Sequence, residues 1–306
     1  MIVVFGSLNM DLVMTVPALP GPGETVLTRS YATKPGGKGA NQAVAAARAG
    51  ASVAMVGTVG TDGFGDRLAE NLQRNAVDVR CLRRGGEPTG IAYICVDSAA
   101  ENFIAVASGA NLETAAADLP DDLLAEGGTL LMQMEVPADQ IWAALRRARA
   151  AGMRTVLNVA PAAPVPADAL RALDVLIVNE HEARSVAGDL GIDGGGPEYL
   201  ARRLAAEAGL ICVVTLGAAG AIAAEGDMLW KVAPLRVRPV DTTGAGDAFV
   251  GALTAALDRG RGLPEALRRA SVGAGLACLA LGAQESLPEA ADIDRRLADV
   301  PEPSRI

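Results

Sequence analysis

Residues 129–161 read TLLMQMEVPADQIWAALRRARAAGMRTVLNVAP. TLLMQME and TVLNVAP are nearly continuous apolar runs, the pattern of parallel strands covered on both faces. PADQIWAALRRARAAG between them is amphipathic at helical spacing, with Trp142 on its apolar stripe. Strand, helix and strand in this order make the unit of a doubly wound α/β sheet. The alternation extends both ways: IVVFG and VAMVGTVG precede it, VLIVNE and ICVVTLG follow, and NQAVAAARAGA, DRLAENLQRNA and PEYLARRLAAEAG supply further helices. The expected fold class is α/β, a doubly wound, mostly parallel sheet with helices on both faces, in a single domain over residues 1–306. Ligands of such sheets bind beyond the C-terminal strand ends, so residues just after each strand matter most.

Two segments break the alternation. DLVMTVPALPGPGETVLTRSYATKPGG has Pro and Gly turns between strand-like pieces. TGIAYICVDSAAENFIAVASG reads as a hairpin, with the polar break DSAAEN between two β-rich arms. Together, over about residues 11–36 and 88–108, they are expected to form a small projecting β-sheet, a lid or an oligomer contact.

Composition narrows the function. The chain has 306 residues, 50% hydrophobic and 21% charged, enough to bury a large core. A formal net charge of -9 argues against a nucleic-acid partner, although a local site can still hold a small anion. The N-terminal MIVVFGS lacks the basic region and apolar length of a signal peptide, and no apolar run reaches the length of a membrane span. Cys81, Cys95, Cys212 and Cys278 are scattered without a CxxC pair and read as reduced thiols. A cytoplasmic enzyme or binding protein is expected.

Three stretches carry chemistry. In DTTGAGDAF, residues 241–249, two acids bracket a bare loop that runs into the helix VGALTAALDRG. Gly244 and Gly246 free the backbone, and the unpaired N–H groups of a helix start favour an anion such as phosphate. Asp247 is then either an N-cap or a general base that takes a proton from a hydroxyl attacking phosphorus. In PGGKGANQAV, Lys38 and the glycines suggest a P-loop. The GxxxxGK[ST] spacing fails, because Ala32 stands where the first glycine belongs and Gly39 follows the lysine. Gly36, Gly37 and Gly39 instead permit close approach of a ligand to backbone, with Lys38 and Asn41 as polar contacts; a plain Gly-rich turn is the bland alternative. In GSLNMD, Asn9 and Asp11 follow the first strand and offer hydrogen-bonding groups suited to a polyol, or form an Asx turn.

GSLNMD, PGPGETV, GGKGANQAVAAARAGA, TGIAYICVD, NFIAVASGAN, LMQMEVP, VNEHEA, VTLGAAG and VDTTGAGDAFVGAL occur in this order from about Val3 to Ser286. Taken together they resemble the ribokinase group of the PfkB-type sugar kinases. The resemblance implies Asp247 as proton acceptor, with Gly244, Ala245 and Gly246 as an anion hole. It implies a sugar site at Asn9, Asp11, Gly37, Lys38, Asn41 and Glu135, with Met10, Gly39 and Ala40 completing the two motifs; Met10 would bias one sugar hydroxyl. Nucleotide positions fall on Asn179, Thr215, Leu216, Gly217, Ala218, Ala219 and Gly220, with Ser271 against adenine and Glu182 acting through water on phosphate-bound magnesium. A potassium ion would lie beside the loop at Asp241, Thr243, Ala277, Ala280, Gly282 and Ser286.

The resemblance thus implies phosphorylation of the 5-hydroxyl of D-ribose by ATP with Mg²⁺, activation by K⁺, and a homodimer through the lids. A related kinase for a nucleoside, 2-deoxyribose or another sugar is the alternative, and a catalytically silent sugar-binding protein a remote one. His181, and the pairs Arg146-Arg147 and Arg202-Arg203, are expected on solvated helix faces.

Overall fold

In the computed structural model, which describes residues 1–97 and 102–306, the N-terminal apolar run forms β1 (Ile2–Phe5) with every residue buried. There follow β2 (Asn9–Thr15), β3 (Tyr31–Gly36), α1 (Lys38–Arg48), β4 (Val53–Val59), α2 (Gly63–Arg74) and β5 (Val77–Arg84). The middle of the chain supplies β6 (Gly90–Val96), β7 (Asn102–Ala107), β8 (Thr129–Met132), α3 (Ala138–Ala150), β9 (Arg154–Asn158) and α4 (Ala167–Arg171). Next are β10 (Val175–Asn179), α5 (Glu180–Asp189), α6 (Pro197–Ala208), β11 (Ile211–Thr215), β12 (Ala221–Glu225) and β13 (Met228–Val232). The last elements are α7 (Ala245–Asp258), α8 (Leu263–Ala277), α9 (Ala290–Arg296) and β14 (Ser304–Arg305).

Among the described residues, ten strands pair in the order β14-β13-β12-β11-β10-β9-β8-β1-β4-β5. The pairs from β5 to β11 are parallel, whereas β11 to β14 pair antiparallel. The chain builds outward from β1 through β4 to β5, then returns to place β8 on the other side. The direction of winding therefore reverses between β1 and β8, and a crevice opens at the C-terminal ends of that pair. Alternate residues of β1 feed two cores: Ile2 and Val4 pack with α1, α7 and α8, and Val3 and Phe5 with α3, α5 and α6.

Both irregular segments join a second sheet, β3-β2-β6-β7. Its central pair, β2 with β6, is parallel, and each carries an antiparallel outer strand. Tyr31, Phe103, Ile104 and Val106 on this sheet are more than half exposed at 65%, 60%, 53% and 52%. Residues 98–101, the middle of the DSAAEN break, lie outside the described residues.

Two expectations change. Strand β8 ends at Met132, so Glu135 lies three residues beyond it, in the bend that leads to α3. Arg147 is not on a solvated face: it donates to the carbonyls of Ala116 and Leu119 and pairs with Asp121 at 2.6 Å, tying α3 to the preceding loop. His181 is exposed on α5 as expected, and Trp142 is half-buried against the second core.

Candidate active site

The crevice between β1 and β8 is closed by a shared carboxylate. Glu135 Oε2 accepts a hydrogen bond from Ser7 Oγ at 2.6 Å and from the Lys38 N–H at 2.9 Å. Ser7 in turn accepts from the Gly39 N–H through Oγ (3.2 Å) and from the Ala40 N–H through its carbonyl (2.9 Å). The first N–H groups of α1, which no helical carbonyl can satisfy, are thus taken by residues that follow β1 and β8. Gly37 caps this helix at φ 86°, in the left-handed region.

The glycines of this loop also serve the packing of the chain itself. A Cβ on Gly37 would stand 2.7 Å from the Asn9 nitrogen, and one on Gly39 2.5 Å from the Ser7 nitrogen. A Cβ on Gly36 would fall 2.2 Å from Asp11 Oδ2. The close approach they permit is of residues 6–11 against the start of α1.

Asn9 and Asp11 lie on one side of β2, and Met10 alternates with them. Met10 is fully buried in the apolar core, as is Ala40, so neither side chain faces the crevice. Asn9 Oδ1 accepts from Asn111 Nδ2 at 2.7 Å, and Asn111 Oδ1 accepts from the Leu8 N–H at 2.9 Å. Asn111 was not singled out as a site residue, although it closes the NFIAVASGAN stretch. Asp11 is the most perturbed acid here: burial pushes its carboxyl up to about 7, the negative charges of Glu135, Asp247 and Glu285 add to this, and Lys38 opposes it.

Facing Asp11 is the start of α7. Gly244 is its N-cap at φ 77°, a conformation that an L side chain resists. Gly246 is exposed, and a Cβ there would meet nothing within 4 Å, so the bareness of that position serves no internal packing. Asp247 follows in the first turn, half-buried. Its Oδ2 accepts from Asn41 Nδ2 and its Oδ1 from Gln42 Nε2, both at 2.9 Å. Helices α1 and α7 can bring these groups together because Gly251 faces Ala45; a Cβ on Gly251 would lie 2.4 Å from that of Ala45. Gln42 was not recognised as part of the site, nor were its partners Gln133 and Asn158, nor Gln284, whose Nε2 holds Asn41 Oδ1 at 2.9 Å.

The remaining expected positions surround this centre. Asn179 caps α5 and shares a reciprocal capping box with Glu182: Asn179 Oδ1 accepts from the Glu182 N–H (2.9 Å), and Glu182 Oε2 from the Asn179 N–H (2.7 Å). Burial raises the Glu182 carboxyl above its ordinary value, and the Asn179 N–H and the charge of Lys38 hold it back. Lys38 thus acts electrostatically on Asp11 and on Glu182 alike. Thr215, the last residue of β11, and Leu216 are half-buried, and Gly217, Ala218 and Ala219 are exposed, in a turn closed at Gly220. Ser271 is buried, with Oγ donating to the Ala233 carbonyl at 2.6 Å, so its hydroxyl is already engaged.

Asp241 joins two loops. Its Oδ1 accepts from the Thr243 N–H and its Oδ2 from the Gly282 N–H, both at 2.9 Å. Burial alone would push this carboxyl up, but the two N–H groups outweigh it and hold it below its usual range. Ala277 is buried, Ala280 exposed, and Ser286 Oγ donates to the Ala283 carbonyl at 3.0 Å. Residue 283 also packs on the anion turn, since a Cβ on Gly244 would stand 3.0 Å from Ala283 Cα.

A crevice at the winding reversal, a glycine turn at a helix start and an amide-held aspartate define a phosphoryl-transfer enzyme of the α/β type. The family model for pfkB family carbohydrate kinases matches residues 1–290, and the chain belongs to that family. It is 36% identical over 304 residues to the ribokinase of Bacillus subtilis, covering 97% of this chain and 99% of that one. The crystal structure of ribokinase from Thermotoga maritima superposes with a TM-score of 0.91 at 31% identity, over 97% of this chain and 99% of that one. The structure of Arabidopsis thaliana ribokinase complexed with ribose and ATP superposes with a TM-score of 0.86 at 31% identity, over 97% and 98%.

Proposed function

We propose that this carbohydrate kinase transfers the γ-phosphoryl group of ATP to the 5-hydroxyl of D-ribose. The observation that carries this reading is Asp247 at the start of α7, held by Asn41 and Gln42 and turned toward the crevice that holds Asp11. The sugar oxygen forms a bond to phosphorus while the bond to the ADP oxygen breaks, and the hydroxyl proton passes to Asp247. N–H groups at Gly244 and Gly246 and the dipole of α7 offset charge on the phosphoryl group; the Ala245 N–H, which donates to the Thr242 carbonyl at 3.2 Å, would join them by exchanging that acceptor. Lys38, whose charge acts on both Asp11 and Glu182, adds a point charge to the same end. Asn9, Asp11 and Asn41 orient the sugar.

The nucleotide site comprises the turn of residues 215–220 together with Asn179 and Glu182. A divalent ion bound to the nucleotide would neutralise phosphate charge. Among the described residues no group of three or more His, Cys, Asp or Glu side chains forms a metal cage, which suits an ion held mainly by phosphates. A potassium ion at Asp241, Thr243, Ala277, Ala280, Gly282 and Ser286 would stiffen the Gly244 turn through Ala283.

ADP release over ribose, 2-deoxyribose, fructose and nucleosides, each with potassium or a bulky organic cation, tests both parts. Selective, potassium-stimulated turnover of ribose is expected; a nucleoside preference would replace the sugar assignment. The pH dependence of binding provides a second check. An ionised Asp11 accepts two hydroxyl hydrogens, so sugar binding should release a proton and ribose affinity should weaken as pH falls through about 7. Without sugar the sign for stability is opposite. The folded carboxyl binds its proton up to about 7 against 3.8 for the ordinary group, so folding takes up a proton in that window and stability falls as pH rises through it. Calorimetry in two buffers of different ionisation enthalpy measures the proton release directly.

The sheet β3-β2-β6-β7 is the proposed lid, and its exposed Ile104 and Val106, two residues apart on β7 and so on one face, would contribute to a homodimer contact. Light scattering at micromolar concentration should give twice the mass of 31.1 kDa. A cytoplasmic setting suits the free thiols, of which buried Cys212 is pushed up to about 12.

A further inference from the structure

Asp247 accepts two amide hydrogen bonds, and the donor at Oδ1 cannot turn away. Gln42 is fully buried, and its Nε2 spends one hydrogen on Asp247 Oδ1 and the other on Asn158 Oδ1, both at 2.9 Å. Its Oε1 accepts from Gln133 Nε2 at 2.7 Å. Reversing the amide would set an oxygen against two oxygens and an NH2 group against an NH2 group. Asn158 is fixed in turn, because its Nδ2 donates to the Ile177 carbonyl of β10 at 3.1 Å. The amide chain therefore runs from the backbone of the central sheet to the carboxylate.

This arrangement carries a cost. Gln133 Oε1 is buried without a hydrogen-bond partner, facing Gly6, where a Cβ would stand 2.1 Å away. Leaving a buried oxygen without a donor is destabilising, and apolar residues at the same positions would avoid it. What the orphan secures is the donor end of Gln133, and with it the orientation of Gln42.

We propose that Gln42, supported by Gln133 and Asn158, is a positioning residue for phosphoryl transfer. It fixes the plane of the Asp247 carboxylate, so that the lone pairs not used by Asn41 and Gln42 face the sugar hydroxyl. Asn41 and Gln42 are consecutive residues near the start of α1, so the two donors move as one body. The charged group facing Asp247 is Asp11 of β2, itself surrounded by Glu135, Glu285 and Lys38. The inference rests on reading Asp247 as the proton acceptor.

Gln42→Met keeps length and approximate volume and removes the donor. Misplacing a reacting group by about 1 Å costs on the order of 100-fold, so kcat should fall roughly 10- to 100-fold while the ribose dissociation constant stays within about two-fold. In an Asp247→Ala background the same substitution should change the residual kcat less than about two-fold, because nothing remains to be positioned. A merely structural role would lower kcat by the same factor in both backgrounds, and that result overturns the proposal. So does a Gln42→Met enzyme with kcat within about two-fold of the parent while Asp247→Ala is inactive. Full activity in Asp247→Ala overturns the proton-acceptor reading and this inference with it. Should Gln42→Met fail to fold, Gln133→Met carries the same comparison: it leaves Gln42 in place unsupported, with a kcat loss of roughly 3- to 10-fold expected in the Asp247 background alone.

Discussion

Asp247→Ala is expected to lose about 10²- to 10⁴-fold in kcat, the range that a positioned general base contributes. Ribose affinity should change by only a few-fold, because Asn9, Asp11 and Asn41 remain to hold the sugar. The half-buried position of Asp247 lets water reach the two amide donors that lose their acceptor. The start of α7 loses a favourable charge, worth about 0.3–1 kcal/mol, so the melting temperature should drop only slightly. Steady-state turnover, calorimetric ribose titration and a thermal melt on one preparation separate these effects. A kcat within tenfold of the parent would remove Asp247 from its role.

The second large effect is on folding. Gly39→Ala should destabilise the protein by about 3 kcal/mol, at the upper end of what overpacking costs. The backbone of Gly39 is helical, and helix propensity alone would favour alanine by about 1 kcal/mol. Sterics win because the new Cβ would lie 2.5 and 2.6 Å from the Ser7 nitrogen and oxygen and 2.7 Å from the Gly6 carbonyl carbon. All three are backbone atoms of the turn after β1, with no flexible end to yield. To make room α1 must withdraw, which pulls the Lys38 N–H off Glu135 and Asn41 and Gln42 off Asp247. Activity should therefore fall even at temperatures where the variant is folded. Gly246→Ala is the control: its Cβ would meet nothing within 4 Å, so it should fold normally and weaken only nucleotide turnover. Equal melting temperatures for the two variants would refute the steric account.

The parallel half of the fold was legible because its strands are buried on both faces and therefore nearly free of polar residues. Strand β5, VDVRCLRR, was not read because it lies at the sheet edge, where Arg80 and Arg84 are exposed. The last antiparallel pair, β13 with β14, likewise joins strands distant in sequence. In the site, the glycine turn and Asp247 could be read from local chemistry. The packing role of the glycines of residues 36–39 was not legible, because a sequence does not show that residues 6–11 lie against them. Gln42 was passed over although a clue was present: it is a polar residue within the otherwise small and apolar ANQAVAAA. A helix buried on nearly every side needs a partner for such an amide. The identity of that partner, across 205 residues of chain, follows only from the contact of α1 with α7.

That contact also sets how salt should act on nucleotide capture. The crossing of Gly251 on Ala45, near the middle of each helix, brings the starts of α1 and α7 together at Asp247, in a molecule whose formal net charge is -9. An anionic nucleotide approaches against the field of the whole surface and is held only in the last few ångströms. Mobile ions screen over about 10 Å at 0.1 M, so they weaken the long-range repulsion far more than the short-range hold. Moderate ionic strength should therefore leave capture intact or speed it, the reverse of an enzyme that draws in its substrate with surface charge.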